Sequence, residues 1–272
     1  MEKITIEGIE LKLSHNDNFE INWVGKEEVV RQLKACWSII SENDLPMNPR
    51  IIGKPGVGKT SLAYHVAKSF SDKVYIFQCT ADTRPEDLIV TPVISEEQKI
   101  SYHASAVVTA MIKGGICILD EGNRMSEKSW ASLAPLLDSR RYVESISAGI
   151  KIKAHKDFRI CTTMNDDAST FDIPDYIQSR LQPRIELEHP TAEEELNILK
   201  SNLPDTEELV LKTIVKFLQA GHKNKEIFTI RDGINIGRYA VKTLFFDKEI
   251  SKNKAIKKAV EQILGENALK YL

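Results

Sequence analysis

Eight residues carry the sharpest chemical signal in the chain: Gly53-Lys54-Pro55-Gly56-Val57-Gly58-Lys59-Thr60. They satisfy G-x-x-x-x-G-K-[ST] at every fixed position. Glycines let successive backbone N–H groups curl around an anion without Cβ clashes, and a following helix N-terminus adds a favourable dipole. Lys59 is placed to reach β- and γ-phosphates, and Thr60 to offer its hydroxyl to Mg²⁺. Gly53, Pro55, Gly56, Val57, Gly58 and Ser61 complete the candidate cradle. A glycine-rich turn with no ligand is the plain alternative. The Lys-Thr pair and the setting weigh against it, because Arg50-Ile51-Ile52 precedes the loop and Leu62, Ala63, Val66 and Ala67 follow at helical spacing.

A second candidate group lies downstream. Ile116-Cys117-Ile118-Leu119-Asp120-Glu121 is an apolar run ending in two carboxylates. In a parallel sheet, strand C-terminal ends face the ligand crevice. There Asp120 can hold Mg²⁺ through water, and Glu121 can orient and polarise an attacking water. This order of carboxylates favours hydrolysis over binding alone. Thr162-Thr163-Met164-Asn165 ends another strand with an amide suited to contact that water or a γ-phosphate. Ile173-Pro174-Asp175-Tyr176-Ile177-Gln178-Ser179-Arg180 reads as a Pro-started helix ending in arginine, with Arg184 one turn later. Arginine suits the charge of a phosphoryl transition state, although an isolated arginine is more commonly a surface ion pair. Thr229-Ile230-Arg231-Asp232 places Thr229 as an N-cap and Arg231 in the first turn. Cations are disfavoured there, so an external anion would explain Arg231.

These side chains need a scaffold, and the hydrophobic pattern supplies one. Short apolar runs at 51–52, 74–77, 116–119, 158–162 and 184–187 alternate with helical segments. That alternation predicts βαβ units and a mostly parallel sheet covered on both faces, an α/β fold. Ile4, Ile6, Ile9, Leu11 and Leu13 alternate, predicting a strand pair over residues 1–20. Residues 26–41 read as a helix with Val29, Val30, Leu33, Trp37 and Ile40 on one face. After His189-Pro190 the strands stop. Thr191 with Glu194 fits a capping box. Further helices are predicted from Pro204 to Gly221, from Thr229, and from Asn253, the last with Ala255, Ile256, Ala259, Val260, Ile263 and Leu264 at helical spacing. The expected boundary lies near 190: an α/β domain over 1–190 and a small helical domain over 191–272.

The chain has 272 residues, 42% hydrophobic and 28% charged, with a formal net charge of −2. A chain near this length buries about three-quarters of its unfolded surface. The values exclude collagen-like, disordered and disulfide-scaffold classes. No run approaches the ~18 apolar residues of a membrane span, and the charged start shows no secretory signal. Cys36, Cys79, Cys117 and Cys161 form no C-x-x-C pair, so they read as buried thiols of a cytoplasmic protein. No basic excess points to nucleic acid. Lys252, Lys254, Lys257 and Lys258 carry no interleaved aromatics and read as a solvated helix face.

Taken together and in order, these motifs resemble the P-loop AAA+ ATPases and, within them, the MoxR-like group. The resemblance spans about residues 20–245. Val24-Gly25-Lys26-Glu27-Glu28 looks like the family's adenine-side entry, and Thr83-Arg84-Pro85-Glu86-Asp87-Leu88 like the segment after its second strand. Asp120-Glu121-Gly122-Asn123-Arg124 looks like the group's Walker B surroundings, with Gly114-Gly115 before the strand. Residues 89–102, around Ser95-Glu96-Glu97-Gln98, look like a hairpin inserted in the second helix. Residues 141–156, with Tyr142, Val143, Ile146, Ile150 and Ile152, look like the hairpin before the sensor strand.

The resemblance implies ATP and Mg²⁺ as ligands, Thr60 and Asp120 on the metal, Asn165 as sensor 1, Arg180 as the arginine finger acting in trans, and Arg231 as sensor 2 on a helical lid. Arg184 remains a second finger candidate. It also implies a homo-oligomeric ring, a hexamer, that remodels or activates a protein client. Hairpins would face the pore, and a separate partner with a von Willebrand factor A-type domain is implied. Asn165-Asp166-Asp167 stands where Asn-Pro is usual, and Ser179-Arg180-Leu181 where Asp-Arg-Phe is usual; neither removes a catalytic group. Three other readings use the same loop: a P-loop small-molecule kinase, a nucleotide-gated scaffold, and a nucleic-acid motor of restriction or replication type. No appended recognition domain is expected, which would place specificity in the hairpins, the ring surface or another chain.

Overall fold

In the computed structural model, residues 2–21, 23–94, 99–166 and 172–272 are described. They form two units. One comprises Met1–Ile21, Glu27–Gly53 and Gly58–Leu187; the other comprises Asn22–Lys26, Lys54–Val57 and Glu188–Leu272.

The first unit opens with β1 (Lys3–Ile6) and β2 (Ile9–Lys12), paired antiparallel across Glu7-Gly8, both at positive φ. The pair is the one the alternating isoleucines predict. In α1 (Glu27–Trp37), Val29, Val30, Leu33 and Trp37 are buried as expected. Ile40 departs from expectation: the helix stops at Trp37 and Ile40 is 89% exposed. The Ser38 hydroxyl donates back to the Lys34 carbonyl, and Asp44 accepts the Ile40 N–H in the turn that follows.

Next come β3 (Arg50–Gly53), α2 (Lys59–Phe70), β4 (Val74–Gln78) and the single-turn α3 (Pro85–Leu88). The hairpin β5 (Val90–Ile94) and β6 (Ile100–Ala104) is antiparallel and separates α3 from α4 (Ala106–Lys113), as an insertion in a helix should. Its turn at 95–98 lies outside the described residues. Then follow β7 (Ile116–Asp120), a 3₁₀ turn at Gly122–Arg124, α5 (Glu127–Leu133), the hairpin β8 (Tyr142–Ser145) and β9 (Ile150–Lys153), β10 (Arg159–Asn165), the single-turn α6 (Asp175–Gln178) and β11 (Arg184–Leu187). Val143, Ile150 and Ile152 are buried, whereas Ile146 lies in the hairpin turn and is 96% exposed.

The central sheet has the order β11-β3-β10-β7-β4, with every pairing parallel. Its inner strands are apolar on both faces, as parallel strands covered by helices must be: Ile116 to Leu119 are all fully buried. β10 runs between β3 and β7, with Asn165 opposite Gly53 and Thr162 opposite Leu119. That register brings the ends of three strands, Gly53, Asp120 and Asn165, to one edge of the sheet. A second sheet, β1-β2-β6-β5, joins the N-terminal strand pair to the first hairpin.

The second unit holds α7 (Ala192–Asn202), α8 (Glu208–Lys223), α9 (Ile230–Phe246) and α10 (Lys252–Leu264), then a 3₁₀ segment at Glu266–Tyr271. α7 begins with the capping box read from the sequence: the Thr191 hydroxyl accepts from Glu194 N–H, and the Glu194 carboxylate accepts from Thr191 N–H. Thr229 and Asp232 form a second such box at the start of α9. α8 starts at Glu208, four residues after Pro204. The apolar faces of the four helices form one core around Leu199, Ile214, Phe217, Leu218, Ile236 and Ile256. The four cysteines are free and buried. Burial pushes the Cys36 thiol up to about 11 and the other three higher still, which leaves them without reactive thiolate.

Candidate active site

The phosphate loop leaves β3 at Gly53 and enters α2 at Lys59. Gly56 and Gly58 take φ of +75° and +96°, a region that Cβ-bearing residues avoid. A Cβ on Gly56 would stand 2.5 Å from Thr229 Cβ, so glycine is required there twice over. Lys59 is 7% exposed, and its ammonium donates to the Gly53 carbonyl at 2.9 Å, bridging the two ends of the loop. The first turn of α2 carries no acidic residue and no side-chain cap, which suits this helix N-terminus to an anion.

Asp120 closes the second wall. Its Oδ1 accepts from the Thr60 hydroxyl at 2.6 Å and from the Thr163 hydroxyl at 2.5 Å. The donor set is all oxygen, one carboxylate and one hydroxyl, which suits a hard cation. Mg²⁺ in such sites takes few protein ligands and completes its shell with water and phosphate oxygens. Among the described residues no group of three or more His, Cys, Asp or Glu side chains forms a metal site.

Glu121 is the first residue beyond the strand and adopts φ +55°, ψ +43°. A non-glycine residue in this region costs on the order of 1–3 kcal/mol and persists where its surroundings hold it. Here they do. Its N–H donates to Thr163 Oγ1 at 3.0 Å, Asn165 Nδ2 donates to Oε1 at 3.0 Å, and Gln78 Nε2 donates to Oε2 at 3.3 Å. Arg124 Nε stands 2.7 Å from Oε2 as an ion pair, without the alignment of a hydrogen bond. Gly122 is required next: a Cβ would fall 2.2 Å from Thr162 Oγ1.

The sequence reading places Asp120, Glu121 and Asn165 together, and the structure does bring them together with Lys59 and Thr60. It assigns no role to four residues that the structure adds. Thr163 joins both carboxylate-bearing residues through one hydroxyl. Asn123 brackets the backbone of Asn165, its Nδ2 donating to the Asn165 carbonyl at 2.8 Å and its Oδ1 accepting the Asn165 N–H at 3.3 Å. Gln78 and Arg124 grip Glu121. Asn123 and Arg124 follow the acidic pair directly, which was the available signal. Thr163 and Gln78 became visible only through strand register.

Arg180 and Arg184 each have an acidic partner of their own. Arg180 follows α6; its Nη1 donates to the Tyr176 carbonyl at 2.5 Å and its Nε lies 3.4 Å from Asp138 Oδ2. The Arg140 guanidinium, hydrogen-bonded to Asp138, and Arg180 beside it hold that carboxyl down at about 2. Arg184 pairs with Glu186 at 2.8 Å on the exposed side of β11. Arg231 occupies the first turn of α9 in the helical unit, exposed. Asp167, the last residue of the altered Asn-Asp-Asp sequence, lies outside the described residues.

A five-stranded parallel sheet, a phosphate loop and an acidic pair on the adjoining strand end define the class: a P-loop AAA+ ATPase fold with a helical C-terminal region. Residues 50–181 match the AAA domain (dynein-related subfamily), and the activity that this match and the fold support is ATP hydrolysis. An uncharacterized protein of Staphylococcus haemolyticus is 23% identical over 257 residues, covering 86% of this chain and 95% of that protein. An uncharacterized Staphylococcus aureus protein is 28% identical over 127 residues, 45% of this chain and 48% of its own length, so the match spans about half of that relative. The Thermotoga maritima RuvB Holliday junction branch migration motor superposes with a TM-score of 0.60 at 19% identity, over 88% of this chain and 70% of RuvB. The likeness to RuvB is one of fold. Among the described residues no helix is long and apolar enough to cross a membrane.

Proposed function

We propose that the protein hydrolyses ATP with Mg²⁺ as a ring-forming, MoxR-like AAA+ machine that remodels or activates a protein partner. The observation that carries the hydrolytic part is the Glu121 carboxylate. It sits one residue beyond the strand carrying the Thr60-bound Asp120, with Asn165 hydrogen-bonded to it at 3.0 Å. In this reading Lys59 and the backbone of Gly53 to Thr60 bind the phosphates, with Pro55, Val57 and Ser61 shaping the loop. Thr60 and Asp120 would hold Mg²⁺, which when bound neutralises charge on phosphate oxygens.

Glu121 takes hydrogen bonds from Asn165 and Gln78 and orients a water for attack on the γ-phosphate. Asn165 shares that water. Arg180 of a neighbouring copy and Arg231 of the same chain's lid stabilise charge developing on the transferred group. A finger acting in trans makes assembly part of catalysis, and a hexameric ring is the assembly that the MoxR-like resemblance suggests. The cytoplasm is the proposed location, and a von Willebrand factor A-type protein the proposed kind of partner.

Glu121→Gln is the test. It keeps the side chain's size and one acceptor but removes the carboxylate. ATP binding is expected within about twofold of wild type and turnover lower by about 10²–10⁴-fold, the range for a lost general base. Unchanged turnover would overturn the assignment.

A second reading has its own observation. RuvB, whose fold this chain shares, is described as a Holliday junction branch migration motor. On that reading the client is nucleic acid. Stimulation of ATPase by DNA, with none by candidate protein partners, would favour it over remodelling.

A further inference from the structure

The helical unit buries a polar cluster that the hydrolytic chemistry does not use. Glu195 on α7 is fully buried. Its Oε2 accepts from Gln219 Nε2 at 3.0 Å. Its Oε1 has no hydrogen-bond partner and faces His222 Nδ1 on α8 at 3.6 Å. The other ring nitrogen, Nε2, lies 2.7 Å from the Phe228 carbonyl. A carbonyl only accepts, so Nε2 carries a proton and donates it. Nδ1 is then the nitrogen that either takes or gives a proton opposite Glu195.

An ionised Glu195 beside a neutral imidazole would be an uncompensated buried charge, which a fold tolerates poorly. One proton shared between Oε1 and Nδ1 removes that cost, whichever atom carries it. The remaining titratable and charged groups facing the pair are few. His189, from the segment entering the helical unit, lies with its ring 4.4 Å from that of His222. Lys54, in the phosphate loop, acts on His189 through its charge, and burial, His222 and Lys54 together hold His189 below its ordinary value. Burial drives the Glu195 carboxyl up to about 7, in the direction the geometry requires.

Phe228 immediately precedes Thr229, the N-cap of α9. Thr229 is the residue against which Gly56 of the phosphate loop is packed, and Arg231 stands two residues further on. We propose that Glu195 and His222 are positioning residues for the ATPase site: sharing one proton, they hold the Phe228 carbonyl and so fix the first turn of α9 that carries Thr229 and Arg231. Loss of the shared proton leaves one ring proton, which moves from Nε2 to Nδ1 to meet the Glu195 carboxylate, so Nε2 no longer donates to the Phe228 carbonyl. A second proton leaves the Nε2–H bond intact. The device therefore fails on the alkaline side alone.

The kinetic arm of the test rests on the hydrolytic reading above; an NMR arm does not. Steady-state ATPase is measured from pH 6 to 9 on the full chain. Wild-type kcat is expected to fall about tenfold between pH 7 and pH 8.5 as one group ionises. Glu195→Gln cannot ionise, and its amide can still donate to Nδ1, so its kcat should stay within about twofold across that range. His222→Ala should lose about tenfold in kcat at pH 7 with a smaller change in KM. His222→Gln keeps a donor for the Phe228 carbonyl and should recover most of that loss. If His222→Ala does not fold, the two glutamine variants decide.

In ¹⁵N-histidine spectra at pH 6, His222 is expected as the Nε2–H tautomer, and its signals should change as Glu195 ionises in wild type but not in Glu195→Gln. An Nδ1–H tautomer at pH 6, or a change that persists in Glu195→Gln, would overturn the proposal, as would an alkaline limb shared by wild type and Glu195→Gln. If wild type shows no ATPase, the hydrolytic reading fails, and the spectra still decide whether the proton is shared.

Discussion

Two sets of candidate residues sit on different kinds of support. Gly53, Asp120, Glu121 and Asn165 stand at strand ends, and the register of β3, β10 and β7 alone brings them side by side. Arg180 and Arg231 stand on helical turns, one after the four-residue α6 and the other in the second unit. The strand-end groups are cross-linked: Thr163 ties Asp120 to Glu121, and Asn123 ties the 3₁₀ turn to Asn165. Arg180 is held instead by the Tyr176 carbonyl and Asp138. Sheet register therefore places the first set, and local helical turns the second.

The sharpest test of that division is Arg180→Ala against Arg184→Ala. As the finger, Arg180 should be worth about 10³-fold in turnover, whereas Arg184, in an exposed ion pair with Glu186, should change it by less than about threefold. Nucleotide binding should be near wild type in both. The reverse pattern in an ATPase assay would move the finger to Arg184. Equal, small effects would remove the trans arrangement.

Rigidity at the strand ends is tested by Gly122→Ala. Its Cβ would fall 2.2 Å from Thr162 Oγ1 and 3.0 Å from Trp130. Both neighbours are fully buried side chains, so something must shift, at about 3 kcal/mol of stability. Chemical denaturation reads this as a lower midpoint. An unchanged midpoint would show that the wall is softer than argued.

Thr163→Val is a gentler probe of the same wall. It removes the hydroxyl that Asp120 accepts from and that Glu121 N–H donates to. A part-buried N–H left unpaired costs about 1–3 kcal/mol. Turnover should drop about tenfold, with ATP affinity changed less. A full loss of binding would mean that Thr163 shapes the loop and not the acidic pair.

Much of this was legible in the sequence, for physical reasons. The five sheet strands appear as short apolar runs because both faces of a parallel sheet are covered. Thr191 and Thr229 announce their helices because a capping hydroxyl has few other uses beside a Glu or Asp three residues on. Ile40 was misplaced because periodicity does not register where a helix stops. Thr163 and Gln78 were silent because their partners lie 42 and 43 residues away and are reached only across strands. The Glu195–His222 pair was silent for a related reason. Two helices must pack before a charged side chain is seen to be buried, and pattern alone reads Glu195 as one more acid in a first turn.

That pair gives the smallest prediction and the one most specific to the helical unit. The Glu195 carboxyl is raised in the folded chain, from an ordinary 4.5 to about 7. A raised carboxyl contributes stability that is fully present below its unfolded value and is lost as pH rises through the folded value. Between pH 5 and pH 8 the helical unit should therefore lose stability in wild type and not in Glu195→Gln. The difference should appear as a fall of a few degrees in Tm for wild type relative to the variant. Gly122 and Thr163 variants should leave that pH slope untouched, since neither side chain belongs to the helical unit. A slope that survives in Glu195→Gln would place the titrating group elsewhere, and not at His189, whose lowered value gives stability that rises with pH.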